Sequence, residues 1–171
     1  MNAVFYISAG VAVVATALVI TRREAVHALL YLIVSLLAVA VDFFLLGAPF
    51  VAALEVIIYA GAIMVLFVFV IMTLNVGAPG TEPAGRRSAG RAWIGPVVLA
   101  SVLLAEVVYV LVVSAGGVSG GSSISPEEVG RTLYGPYRIG VELASLLLLA
   151  GLVGAYHLGR RRSSEEREGE R

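Results

Sequence analysis

Four carboxylic acids stand inside otherwise apolar runs of this chain: Asp42, Glu55, Glu106 and Glu142. Inserting an acid into hydrocarbon costs roughly 2.5–3.5 kcal/mol on insertion scales, so an intramembrane acid marks a functional position by default. The chemistry such groups offer is proton exchange, because a medium that penalises the ionised form keeps the carboxyl poised between its two protonation states. Glu55 has the richest setting. Tyr59 follows it at i+4, on the same face of a helix, and Gly61 comes two residues later between Ala60 and Ala62.

The elements that must position these acids are legible from hydropathy. The stretch FVAALEVIIYAGAIMVLFVFVIMTL, residues 50–74, is long enough to span a bilayer, which takes about 20 apolar residues. Four further runs reach or approach that length, at 4–20, 26–46, 93–113 and 139–158. The expected fold is all-α: one membrane domain over residues 1–158 with five transmembrane helices, followed by a charged, disordered cytoplasmic tail over 159–171. The first run has no positive segment before it and its Arg22-Arg23 pair follows it, which argues against a cleaved signal peptide.

Arginine placement orients the chain. With the amino terminus outside, Arg22, Arg23, Arg86, Arg87, Arg91 and the five arginines of the tail fall inside, ten against two. Cytoplasmic segments collect such residues, so the reading is N-terminus outside (periplasmic) and C-terminus cytoplasmic. Spans two and three then form a hairpin through the short turn 47–49. Asp42 and Glu55 sit on either side of it, each about 8–9 Å in from the outer boundary. Glu106 is about 10 Å in and Glu142 about 5 Å in, so the four acids occupy one layer in the outer half. Tyr59 lies about 15 Å deep, at the bilayer centre. In the second long loop, Ser125-Pro126-Glu127-Glu128 reads as a cap, a proline at the first helical position and acids in the first turn. It predicts a surface helix from Pro126 to about Leu133, with an extended loop as the alternative.

Each candidate has a plainer explanation. Glu55 can serve as a hydrogen-bonded link between helices, and Asp42 and Glu142 can reach interfacial water. Glu106 has Tyr109 at i+3 as a hydrogen-bond partner. Tyr59 can pack against another subunit with its hydroxyl bonded locally. Gly61 is either a point of close helix approach or a deformable point in the helix. His27 and His157 read as interfacial, and Trp93, Tyr134 and Tyr137 as belt aromatics at span edges.

Composition removes whole classes of function. The chain is 59% hydrophobic and 14% charged, which excludes a soluble domain. It has no cysteine, hence no disulfide, thiolate metal site or iron–sulfur ligation of its own, and with two histidines it offers no His-rich metal site. A net charge of zero gives no basic surface for nucleic acid.

Three stretches resemble the subunit J (chain 6) family of respiratory complex I, the proton-pumping NADH–quinone oxidoreductase. They are VHALLYL at 26–32, LEVIIYAGAIMVLFVFV at 54–70, and a third that joins Leu133, Tyr134 and Tyr137 to ELASLLLL at 142–149. The resemblance implies a subunit of the membrane arm in the bacterial inner (plasma) membrane, beside other membrane-arm subunits. Flavin, iron–sulfur clusters and quinone would belong to those other subunits, leaving this chain with no cofactor or metal and no catalytic site of its own. It also implies a π-bulge in the third span whose rearrangement opens and closes a water path. Carried over, that role falls on Glu55, Tyr59 and Gly61, and it raises the standing of Glu142. A one-residue bulge turns the helix beyond it by about 100°, which would swing Val65 and Phe67 into or out of such a path. Asp42 and Glu106 match no motif of the family. The alternatives are a subunit of a related multisubunit cation/proton antiporter or membrane-bound hydrogenase, and a purely structural assembly subunit.

Overall fold

The computed structural model describes residues 2–22, 24–75, 89–115 and 123–168, and every regular element among them is helical. In chain order they are α1 (Asn2–Thr21), α2 (Ala25–Leu45), α3 (Pro49–Leu54), a π-helical segment (Glu55–Ile63), α4 (Met64–Asn75), α5 (Ala89–Ala115), α6 (Pro126–Tyr134) and α7 (Arg138–Glu168). Five stretches are long and apolar enough to cross a membrane: Asn2–Thr21, Ala25–Leu45, Pro49–Thr73, Trp93–Val112 and Arg138–Gly159. They match the five runs expected from hydropathy. The third crosses as α3, the π segment and α4 in unbroken succession.

Two compact units are present, Met1–Ile124 and Ser125–Arg171. In the first, α2 is the hub: α1, α3, the π segment, α4 and α5 all pack against it. Its small residues explain why. The α1–α2 contact is built on alanine and serine, with Ala15, Ser8, Ser35 and Ala38 all buried, and side chains this short let the backbones approach closely. Hydroxyls then fasten the pair. Ser8 Oγ donates to Ala38 O at 3.0 Å, Ser35 Oγ donates to Ala12 O at 3.2 Å, and the Thr16 and Ser35 hydroxyls meet at 2.7 Å. Leu103 of α5 closes the cluster against Val11, Ala15, Val34 and Ala38. Because Tyr31 lies over Gly95 and Ala38 packs near Leu103, α2 and α5 run parallel.

The hairpin turn is set by its sequence. Gly47 takes φ 83°, a left-handed conformation natural to glycine. The Gly47 and Ala48 amides bond back to Phe44 O and Phe43 O, capping carbonyls at the end of α2. Pro49 starts α3 at a position that needs no amide donor. Ile124 N–H reaches Gly47 O at 2.9 Å and ties this point of the second long loop to the turn.

In the second unit, α6 packs on α7. The expected cap of α6 is present: Ser125 Oγ accepts from the Glu128 amide at 3.2 Å, Pro126 opens the helix, and Arg131 bonds Glu127 at 2.8 Å. Helix α7 continues to Glu168. A helix already nucleated in the membrane adds each further residue at little cost, and the arginines and glutamates there are good helix formers. Of the expected connections, residues 76–88 with Arg86 and Arg87, residues 116–122, and Arg23 lie outside the described residues, as do 169–171.

Candidate functional site in the third span

The π segment begins at Glu55 itself and runs through Tyr59 and Gly61 to Ile63. A π turn closes its hydrogen bonds one residue later than an α turn, and such turns gather at functional sites. The Met64 amide shows the pattern, bonding back to Tyr59 O five residues earlier. Gly61 fits this geometry for a specific reason. A Cβ added to it would stand 3.1 Å from Val56 O, the carbonyl five residues back, and would meet no neighbouring helix within 4 Å. Within this chain, no other helix approaches this glycine closely. The crowding comes from the helix's own π backbone.

Glu55 is half-buried. Tyr59 is 48% exposed within the chain, and in α4 Val65 and Phe67 are exposed too. Glu142 is exposed on α7. An apolar groove of about 510 Å³ opens between α2, α3 and α5, lined by Val34, Leu37, Phe44, Leu103 and Val107 and reaching Val56 in the π segment. Residues immediately beside the irregular turn thus border space rather than tight packing.

Asp42 and Glu106 come together elsewhere. Glu106 is 8% exposed, and both of its carboxyl oxygens are buried without a hydrogen-bond partner, as is Asp42 Oδ1. The expected Tyr109 partner is absent, because Tyr109 points outward at 57% exposure while Glu106 turns inward. Residues at i and i+3 differ in direction by about 60°, enough here to part them. Sequence reasoning also missed Ser8, which lies within reach of the Asp42 side chain. A single serine in an apolar run carries no signal of its own.

At the opposite end of α2, Tyr31 is 1% exposed. Its ring lies under Arg22, whose guanidinium carbon is 5.2 Å from the ring centre and whose Nη2 donates to the hydroxyl at 3.4 Å. His27 pairs with Glu24 at 2.6 Å and meets the Trp93 ring edge-on at 6.1 Å. No group of three or more potential metal ligands occurs among the described residues.

A small all-helical chain with five membrane-length helices, an acid at the head of a π turn and a glycine that relieves it defines a class of polytopic membrane subunit. The particular family follows from comparison. Residues 15–158 match the model of the NADH-ubiquinone/plastoquinone oxidoreductase chain 6 family, and the chain belongs to that family. It is 54% identical over 161 residues to NADH-quinone oxidoreductase subunit J of Pseudomonas aeruginosa, covering 94% of this chain and 97% of the relative. It is 53% identical over 172 residues to the subunit J of Escherichia coli K12, covering 99% and 90%. Against the subunit J of Buchnera aphidicola from Schizaphis graminum the identity is 46% over 160 residues.

Proposed function

We propose that this chain is a multi-pass membrane subunit of a bacterial NADH–quinone oxidoreductase and that its third span helps couple quinone reduction to proton translocation. The observation that carries the reading is the π segment, which starts at the one acid of that span and contains the glycine whose missing side chain makes room for Val56 O. Passing the extra residue along the helix, or absorbing it into regular α turns, rotates everything beyond it by about 100°. Val65 and Phe67 then move relative to Glu55, which stays on the hairpin side as a proton stop. The groove beside Val56 gives displaced apolar side chains somewhere to go. Tyr59 contributes its backbone carbonyl to the π ladder and a hydroxyl near mid-span. Glu142, exposed in the isolated chain, faces other subunits of the membrane arm in this reading. The amino terminus lies outside and the carboxyl terminus in the cytoplasm. The flavin, iron–sulfur clusters and quinone are held by other subunits. Relatives at 53–54% identity carry the oxidoreductase subunit name, which favours this assembly over an antiporter or hydrogenase module.

The test is proton-to-electron stoichiometry in proteoliposomes containing the assembled complex. Gly61→Leu forces a branched side chain onto Val56 O and should lower the stoichiometry while assembly and quinone reduction persist. A wild-type ratio in an assembled Gly61→Leu complex would refute the hinge. Glu55→Gln separates relay from scaffold, since an unchanged ratio leaves Glu55 a structural residue.

A further inference from the structure

Helix register brings two acids from distant parts of the chain to one level. Asp42 lies one turn beyond Ala38 on α2, and Glu106 lies one turn beyond Leu103 on the parallel α5, where Ala38 and Leu103 share a cluster. Ser8 of α1 bonds Ala38 O, so its hydroxyl joins the same layer. Glu106 is more than nine-tenths buried, with both oxygens unpaired, and a third unpaired oxygen belongs to Asp42. The Asp42 charge acts on Glu106 directly. Two carboxylates cannot both stay ionised at short range in an apolar layer, and the usual solution is a retained proton.

We propose that Asp42 and Glu106 form a second proton-binding site between α1, α2 and α5, separate from Glu55. Asp42 is the half-exposed member, three residues from the end of α2 and close to the Gly47 turn, so it meets water first. Glu106 is the enclosed member. A proton arriving on Asp42 passes to a Glu106 oxygen: one O–H bond breaks, another forms, and the charge of the pair changes by one when the next proton enters. No redox partner takes part.

Among the described residues, the titratable groups on the elements around the pair are as follows. The elements packed on α5 are α1 and α2. From α1 the layer receives the Ser8 hydroxyl, while Tyr6 is 73% exposed. On α2, Tyr31 and His27 lie about 16 Å or more along the helix from Asp42. Tyr109 of α5 points away. The π segment also packs on α2, the helix of Asp42, and brings Glu55 and Tyr59 to it.

The assignment does not rest on the gate at Glu55, and infrared spectroscopy of the assembled complex distinguishes the two. The measurement is the carbonyl stretch of protonated carboxyls, followed across pH in H₂O and D₂O as wild type minus variant. Glu106→Gln should remove one deuterium-sensitive band. Asp42→Asn should keep that band but convert its two-step titration to a single step, the mark of a broken coupled pair. Glu55→Gln should leave band and titration unchanged. A Glu106→Gln spectrum superimposable on wild type at every pH overturns the site. Should Glu106→Gln fail to assemble, Asp42→Asn decides alone, because an unaltered titration of the band removes the coupling on which the site depends.

Discussion

At the scale of single residues, the positions that matter most are those where a side chain is missing. Gly61 leaves room for a carbonyl of its own helix, whereas Gly95 leaves room for a neighbour. A Cβ at Gly95 would overlap the Tyr31 hydroxyl and stand 3.0 Å from Cζ. The tip of an exposed tyrosine could swing aside, but Tyr31 is 1% exposed and held beneath Arg22. Gly95→Ala should therefore destabilise the α2–α5 contact by about 1–3 kcal/mol, the usual cost of overpacking. Thermal unfolding of the purified complex measures it. Tyr31→Phe alone removes a long hydrogen bond to Arg22 and should matter little, while the double variant should recover part of the loss, since the ring carbon remains close. No recovery would mean that the phenol oxygen is not what Gly95 accommodates. The buried acids obey similar logic in reverse: Glu106 is costly where it stands and persists without a visible partner, which makes it hard to read as packing.

At the scale of elements, the five spans were legible because length and apolarity alone decide them, and the Ser125 cap was legible because serine, proline and paired acids each have a mechanical role at a helix start. The π turn was not readable from composition. Whether an amide bonds four or five residues back leaves no mark in hydropathy, and the expectation came only through the family resemblance of residues 54–70. The Asp42–Glu106 pairing was equally out of reach. Depth counting placed both acids in one layer, but their meeting depends on α2 and α5 packing side by side across an intervening span. How far α7 runs, to Glu168, leaves no mark in hydropathy either, since propagation from a formed helix asks little of each residue. A prediction belongs to α6. Ser125 Oγ satisfies the Glu128 amide at 3.2 Å, so Ser125→Ala should weaken this helix by about 1 kcal/mol, typical of a lost N-cap. Amide hydrogen exchange in the first turn of α6 should quicken, and Ser125→Asp should restore protection. Unchanged exchange in the alanine variant would show that neighbouring contacts, not the cap, hold the turn.

At the scale of the whole molecule, the chain covers little of its own apolar surface. The buried apolar residues among those described number ten, and seven of them belong to α1 and α2. In the most apolar 18-residue window of Pro49–Thr73 only 6% is buried. Lipid can cover Leu or Phe at no penalty, because lipid tails are equally apolar. It cannot cover a carboxyl without cost, and Glu142, exposed on α7, and Glu55, half-buried in the π turn, are such groups. The third span also carries a π turn, a rare conformation that gathers at functional sites. Membership in a family of oxidoreductase subunits supplies the resolution, since other chains of such a complex can line those faces. The chain expressed alone should therefore insert but remain poorly stable in detergent, and co-expression with the remaining subunits should raise its melting temperature and its yield as a single species on size exclusion. Glu142→Leu sharpens the test. If the acid is met by a partner, removing it should impair recovery of the complex while improving, or leaving unchanged, the behaviour of the chain alone, because a costly group in lipid has been deleted. Equal complex yield from wild type and Glu142→Leu would place that carboxyl at the water interface, with no subunit contact to explain it.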